Sequence, residues 1–146
     1  MKKLIIANWG PKEQGKSASV KNVFYILRDK YPTQVLIDNG DIKAIVTIKG
    51  VKVGIESQGD PKYRTEQSRL TKSINDFVAE GCEIIVCACR SSGETAGSVS
   101  RLIKDDFEVI WTQNDRTNIA SLHSFLNRLY AEKTVNTIEA RILEEI

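Results

Sequence analysis

Eight consecutive residues near the start of the chain, at positions 10–17, have the types and spacing that phosphate binding needs. They read Gly-Pro-Lys-Glu-Gln-Gly-Lys-Ser, with glycines at Gly10 and Gly15. Glycine adopts backbone angles that other residues resist, so successive N–H groups can point inward at an anion. A helix beginning near Lys16 adds unpaired N–H donors and the positive end of its dipole at the same point. The segment therefore predicts a binding site for a phosphate group.

The pattern Gly-x-x-x-x-Gly-Lys-Ser resembles the phosphate-binding loop of the P-loop NTPases. Its setting agrees with that family, because an apolar strand leads into it and an amphipathic helix leads out of it. The resemblance implies that Mg²⁺ and ATP or GTP bind here, with Lys16 on the β- and γ-phosphates and Ser17 on Mg²⁺. The residues of the implied site are Gly10, Pro11, Lys12, Glu13, Gln14, Gly15, Lys16 and Ser17. The alternative interpretation is a glycine-rich turn with an exposed lysine and a helix-capping serine.

A carboxylate is expected as a further Mg²⁺ ligand, at the end of a strand that neighbours the strand of the loop. The most apolar strand supplies none, because it ends in Arg90. Glu56 is the better candidate, since Glu56-x-x-Gly59 resembles the D-x-x-G motif of the GTPase branch. One alternative is a charged strand end followed by a Gly-Asp-Pro turn. Asp38 and Asp41 are weaker candidates, which we interpret as turn residues.

The same resemblance implies further residues for catalysis. It implies that Glu56 holds Mg²⁺ through water and that the N–H of Gly59 faces the γ-phosphate. Gln58 or Asp60 would then orient the attacking water. Arg90 follows a buried strand at the ligand edge of an open sheet, where it would stabilise charge on the transferring phosphoryl group; a surface arginine is the alternative. The expected catalytic set is Lys16, Gln58, Asp60 and Arg90.

A nucleobase site is predicted after the last strand. The residues at 112–115, Thr-Gln-Asn-Asp, resemble a degraded form of the guanine-reading [N/T]-K-x-D motif. Asp115 would accept a hydrogen bond from the exocyclic amine of guanine, and Asn114 belongs to the same expected site. Gln113 replaces the lysine that packs along the base in that family, which favours ATP slightly over GTP. Alternatively, Asp115 and Asn118 cap the following helix.

Apolar patterns predict the elements that position these residues. Continuous apolar runs predict buried strands at 3–8 and 83–89, and alternation over 42–56 predicts a β-hairpin. The expected strands are 3–8, 34–37, 42–48, 51–55, 83–89 and 107–111, and the expected helices are 16–30, 65–79, 95–104 and 118–131. This order predicts a three-layer α/β fold like that of the P-loop NTPases, with a mostly parallel sheet and one antiparallel hairpin.

The last helix is expected to turn an apolar stripe toward the sheet. This stripe consists of Leu122, Phe125, Leu126 and Leu129. A second stripe at helical spacing follows and consists of Val135, Ile138, Ile142 and Ile146. We therefore expect a nucleotide-binding domain at 1–132 and a C-terminal helix at 133–146. This helix either belongs to the same domain or serves as an arm for a protein partner or a second copy.

Composition limits the classes of function. The chain has 146 residues, of which 41% are hydrophobic and 27% charged, as in one globular domain. Its 21 basic and 19 acidic residues are interspersed, which argues against a nucleic-acid surface. No apolar run reaches the roughly 18–20 residues of a membrane span, and the first one is too short for a signal peptide, which predicts a cytoplasmic protein. The cysteines at 82, 87 and 89 lack the paired spacing of a zinc site and are expected to be buried thiols.

Together these features predict a small Mg²⁺-dependent hydrolase of the γ-phosphate of ATP or GTP. Catalysis would rest on positioning and on electrostatic stabilisation. A small-molecule or nucleotide kinase is one alternative, and its candidate lid arginines are Arg64, Arg69 and Arg90. A nucleotide-binding interaction module with little turnover is another alternative, which the C-terminal stripe and the missing aspartate favour.

Overall fold

The computed structural model of the protein describes residues 1–10, 15–59, 69–90 and 94–146. The strands are β1 (Leu4–Gly10), β2 (Thr33–Asp38), β3 (Ile42–Ile48), β4 (Val51–Glu56), β5 (Ile84–Arg90) and β6 (Glu108–Thr112). The helices are α1 (Lys16–Lys30), α2 (Arg69–Ala79), α3 (Glu94–Ile103) and α4 (His123–Ile142). A single 3₁₀ turn, Ala120–Leu122, precedes α4. The first four residues of the predicted helix 65–79 lie outside the described residues.

The strands form one mixed sheet in the order β2-β3-β4-β5-β1-β6. Strand β1 is parallel to β5 and β6, and β5 is parallel to β4. Strand β3 runs antiparallel to both β2 and β4, so the predicted hairpin at 42–56 is confirmed and β2 extends it. Because two reversals restore direction, β2 ends at the same edge of the sheet as β1, β4, β5 and β6.

Helices cover both faces of the sheet. One face packs against α1 and α4, with Leu4 and Ile6 of β1 in that core. The other face packs against α2 and α3, with Ile5 and Ala7 of β1 in that core. Strand β1 is therefore apolar from Leu4 to Ala7, because both of its faces are buried. The result is an α/β fold of three layers, with the central strands β1 and β5 between two helical layers.

Helix α4 turns a different face to the sheet from the one predicted. The expected stripe is largely on the surface: the exposed fractions are 40% for Leu122, 46% for Phe125 and 41% for Leu129. The core contacts instead come from the part of the helix between positions 130 and 138, through Tyr130, Ala131, Val135 and Ile138. The buried face also carries polar side chains such as Thr134, which hide it from an apolar pattern. Residues 133–142 continue α4 and pack in the same core.

The three cysteines are free thiols and are buried, as expected. Burial raises the pKa of Cys82 to about 11, which makes its thiolate a minor species at neutral pH. Within the described ranges, no group of acidic, histidine and cysteine side chains is arranged to hold a metal ion by itself. None of the helices in those ranges combines the length and the apolar character needed to cross a membrane.

Candidate functional site

Those predicted functional residues that the structure describes lie at one edge of the sheet, where the parallel strands end. Gly10 at the end of β1 lies opposite Arg90 at the end of β5. Thr112 at the end of β6 lies opposite Asn8 of β1 on the other side. Carboxyl ends of parallel strands form the ligand edge of open α/β sheets. The structure thus brings the start of the predicted phosphate loop directly beside Arg90.

The loop returns to helical structure at Gly15, which is the N-cap of α1. Its φ of 75° and ψ of 12° lie in the left-handed region. A Cβ atom there would stand 2.8 Å from Nδ2 of Asn114 and 3.1 Å from Oδ1 of Asn127. Conformation and space therefore both require glycine at this position. Residues 11–14 of the predicted loop, Pro11, Lys12, Glu13 and Gln14, lie outside the described residues.

Lys16 is buried at the first turn of α1, with only 4% of its surface exposed. Its Nζ donates a hydrogen bond to the carbonyl oxygen of Gly10 at 2.7 Å. The interpretation as an exposed lysine is therefore wrong. An ammonium group is costly to bury unless nearby groups compensate its charge. This one lies between the end of β1 and the N-terminus of α1, where the phosphate loop would hold an anion.

The hydroxyl of Ser17 contacts a carboxylate instead of capping the helix. Its Oγ donates to Oδ1 of Asp41 at 2.5 Å, and Oγ of Ser57 donates to the same oxygen at 2.8 Å. The N–H of Ile42 donates to Ser57 Oγ at 2.8 Å and fixes that hydroxyl. The structure therefore places Asp41 beside the predicted metal-binding serine. From the sequence, Asp41 is interpreted as a turn residue. The signal that could have identified it is its position in the turn directly after β2, because β2 ends at the ligand edge.

Glu56 has a different environment from the one predicted. Its side chain is fully buried, and Oε1 accepts hydrogen bonds from Nε of Arg69 and Oγ of Ser73, both at 2.7 Å. Its other oxygen accepts the N–H of Gln58 at 3.1 Å. These are the contacts of the carboxylate within the described ranges, and Ser17 is not among them. The expectation that Glu56 ends a strand next to β1 is wrong, because β5 lies between β4 and β1.

The segment after β4 crosses over β5. A Cβ atom on Gly59 would stand 2.4 Å from the carbonyl group of Ala88, so its backbone rests on the main chain of β5. Gln58, which precedes it, is partly buried. This path leads the chain from β4 onto β5, the strand that pairs with β1. Asp60 lies outside the described residues.

Amide side chains connect the phosphate loop to β6 and α4. Asn8, which is fully buried, donates to Asn114 at 2.8 Å, and Asn114 donates to Asn127 at 3.1 Å. Ser19 of α1 donates to the same oxygen of Asn127 at 3.1 Å. Oδ1 of Asn8 is buried without a hydrogen-bond partner among the described residues. This cluster, Asn8, Ser19, Asn114 and Asn127, is called the amide cluster below.

A cavity of about 300 Å³ opens beside Gly15 and the amide cluster. Asp115, Arg116 and His123 line it with polar atoms, and Leu126 contributes an apolar wall. The predicted base-binding residues therefore do lie next to the phosphate loop. The volume of the cavity is at the lower end of the range for small-molecule sites.

The alternative interpretation of Asp115 and Asn118 as helix caps is wrong. Helix α4 begins at His123, its N-cap is Leu122, and no side chain caps it. The N-cap of the preceding 3₁₀ turn is Ile119, again with no side-chain hydrogen bond. Asp115 is exposed at the cavity, and its carboxylate is therefore available to a ligand.

Comparisons of the chain with models of protein families, with curated proteins and with solved structures found no match.

Proposed function

We propose that the protein binds a nucleoside triphosphate with Mg²⁺ at the ligand edge of its sheet and hydrolyses the γ-phosphate. The observation that carries this proposal is the buried Lys16, whose ammonium is held at the carbonyl of Gly10. Lys16 is the first residue of α1, a 15-residue helix whose N-cap, Gly15, has a left-handed backbone conformation. A buried cation and a helix N-terminus at one point form a site for a polyanion.

Two side chains at the same edge supply the groups that hydrolysis needs. Arg90 lies opposite Gly10 in the sheet register, from where its guanidinium would stabilise charge on the transferring phosphoryl group. Gln58, on the segment that crosses β5, would orient the attacking water. Both roles are positional and electrostatic, as is usual for phosphoryl transfer.

Ser17 fits a role as Mg²⁺ ligand, since its hydroxyl is directed to a carboxylate rather than to the helix backbone. When bound, the metal would neutralise charge on the β- and γ-phosphates. Glu56 is not assigned to the metal, because its Oε1 already accepts hydrogen bonds from Arg69 and Ser73.

The nucleobase is assigned to the cavity beside Gly15. Leu126 offers it an apolar surface, while Asp115 offers an acceptor. Asn114 supports the cavity wall, since its Oδ1 and Nδ2 both take part in the amide cluster. A carboxylate accepts from the N–H groups of guanine, whereas adenine offers it only the exocyclic amine. Separate titrations with ATP and GTP decide between the two bases.

Nucleotide titrations with and without Mg²⁺ test the proposal. Lys16→Ala should lose most of the triphosphate affinity, because the variant lacks the buried cation. Lys133→Ala is the matched control, since Lys133 is exposed on α4 and the change also removes one positive charge. Unchanged affinity in Lys16→Ala, or an equal loss in both variants, would contradict the proposal. Phosphate release in the absence of an acceptor separates a hydrolase from a kinase.

A nucleotide-binding interaction module with little turnover is the second candidate. The observation in its favour is the set of exposed apolar side chains on the segment that leads into α4, where the exposed fractions are 53% for Ile119, 40% for Leu122 and 46% for Phe125. Such surfaces are typical of protein contacts. Tight Mg²⁺–nucleotide binding, negligible phosphate release and a change of mass on binding would together favour this candidate.

A further inference from the structure

Asp41 lies in the turn between β2 and β3, which the topology brings to the ligand edge. It belongs to none of the strands that end beside β1. Its carboxylate is nevertheless in direct contact with Ser17, the residue that the phosphate-loop motif independently marks as a metal ligand. Motif and geometry thus point to the same place from separate observations.

We propose that Asp41 is the protein carboxylate that holds the divalent cation of the bound nucleotide, together with Ser17. This assignment rests on the proposed function and replaces Glu56 in that role. A carboxylate and a hydroxyl are oxygen ligands of the kind that Mg²⁺ prefers. Ligand oxygens about 2.1 Å from Mg²⁺ in an octahedron stand about 3 Å apart, so a cation held by both groups would replace the direct hydrogen bond from Ser17 Oγ to Asp41 Oδ1.

The carboxylate of Asp41 is available for a cation. Within the described ranges it accepts two hydroxyl hydrogen bonds, from Ser17 and Ser57, and forms no ion pair. Its other oxygen, Oδ2, has no hydrogen bond from the same part of the chain. A cation would therefore satisfy a charge that those residues leave uncompensated.

The carboxylate of Glu56 is in the opposite situation. It is fully buried and already paired with the guanidinium of Arg69 at 2.7 Å. Ser73 and the N–H of Gln58 occupy further lone pairs. A metal ion at Glu56 would have to displace the guanidinium of Arg69. At Asp41 it would displace no cation of the described residues.

Ser57 holds Asp41 in position for this role. It ends the hairpin next to Glu56, accepts the N–H of Ile42, and donates to Asp41 Oδ1. The N–H of Ser57 in turn donates to the carbonyl of Ile42 at 3.0 Å. The two ends of the hairpin therefore fix the carboxylate before any metal binds, which is the function of an outer-shell ligand.

The test compares nucleotide affinity in Mg²⁺ with affinity in EDTA, using fluorescent ATP and GTP analogues. For Asp41→Asn, the ratio of these affinities should fall by at least about tenfold, since even outer-shell changes cost metal sites about 10–100-fold. Affinity in EDTA should not decrease, because the variant removes a negative charge near the phosphates. Asp38→Asn, the same charge change at the exposed last residue of β2, should leave the ratio unchanged.

Glu56→Gln separates the two carboxylates. This variant should keep the ratio of affinities in Mg²⁺ and EDTA that the unaltered protein shows. The assignment is overturned if that ratio is unchanged in Asp41→Asn and falls in Glu56→Gln. Binding of Mn²⁺ to the nucleotide complex, followed by electron paramagnetic resonance, gives a readout independent of turnover. Should Asp41→Asn fail to fold, Ser57→Ala decides, with an expected smaller fall in the same ratio and an unchanged ratio as the contrary result. If the unaltered protein binds neither nucleotide, the proposed function fails, and the assignment of Asp41 fails with it.

Discussion

Replacement of Gly15 by alanine tests whether the N-terminus of α1 is built as described. Gly15 has a φ of 75°, and a Cβ atom would stand 2.8 Å from Nδ2 of Asn114. The same atom would stand 3.1 Å from Oδ1 of Asn127. Two separate costs follow, one from the backbone conformation and one from the displaced amide groups.

The magnitude can be worked out from these two costs. A left-handed conformation costs a residue with a Cβ atom roughly 1–2 kcal/mol. Displacing Asn114 weakens its hydrogen bonds to Asn8 and Asn127, each worth about 0.5–1.5 kcal/mol. We expect Gly15→Ala to lose about 2–3 kcal/mol of unfolding free energy. For a chain of this size that corresponds to a fall in Tm of roughly 6–12 °C.

Gly97→Ala is the matched control. Gly97 lies inside α3, and a Cβ atom there would meet nothing within 4 Å. This change should raise stability by about 0.5–1 kcal/mol, because glycine costs that much in a helix interior. Urea unfolding and thermal melts of both variants should therefore give shifts of opposite sign.

The double variant Gly15→Ala/Asn114→Ala separates strain from contact. Removing the Asn114 amide should lower the cost of Gly15→Ala by about 1 kcal/mol, leaving the backbone cost, as a double-mutant cycle measures. Gly15→Ala should also weaken triphosphate binding, since it displaces the start of α1. The reasoning is refuted if Gly15→Ala is as stable as Gly97→Ala, or if the cycle shows no coupling.

Two further predictions concern ion pairs of the α2 layer. Arg69→Met leaves the buried carboxylate of Glu56 without its cation and should cost about 3–5 kcal/mol in urea unfolding; Arg69→Met/Glu56→Gln should recover most of this loss, and no recovery would mean that the charge of Glu56 is not the cause. The hydrogen bond from Lys43, followed by that from Lys72, lowers the pKa of Asp76 below its ordinary value of 3.8. Asp76 has a lower pKa in the folded protein than in the unfolded chain. Its interactions with Lys43 and Lys72 therefore stabilise the protein above pH 3.8, and this stabilisation is lost as the pH falls further. Asp76→Asn should therefore flatten the acid limb of stability against pH in urea titrations, and an unchanged limb would contradict the assignment.

Local patterns were sufficient to predict the strands and α1, but the separate helices expected at 118–131 and 133–146 are one helix, α4 (His123–Ile142). Each of the strands has a counterpart in the structure, with ends that differ by one or two residues, because continuous and alternating apolar runs report burial on two faces or one. Helix α1 lies where the spacing predicted it, at 16–30. The order of strands was not predictable, since nothing in the residues of β5 (Ile84–Arg90) tells which neighbours it pairs with. That order nevertheless determines which side chains meet at the ligand edge.

The local geometry of the candidate site was predictable where the signal is contiguous. The Gly-Lys-Ser step at Gly15 depends on a few adjacent residues, and its local geometry follows from them. The contact between Ser17 and Asp41 depends on a hairpin folding back, and the pair of Glu56 and Arg69 depends on α2 packing. Such contacts join residues 13 or 24 positions apart, and no local pattern encodes them. The buried face of α4 was missed for a related reason, because small and polar side chains interrupt it.

The place of β5 between β4 and β1 has a mechanical consequence for any response to a nucleotide. Neighbouring strands lie about 4.8 Å apart, so β4 is about 9.6 Å from β1 across the sheet. Ladder hydrogen bonds join these three strands into one plate. Under the proposed function, a signal from the terminal phosphate to the end of β4 would therefore have to cross β5 or pass over it. Gly59 lies on that second route, since its backbone rests on the main chain of Ala88.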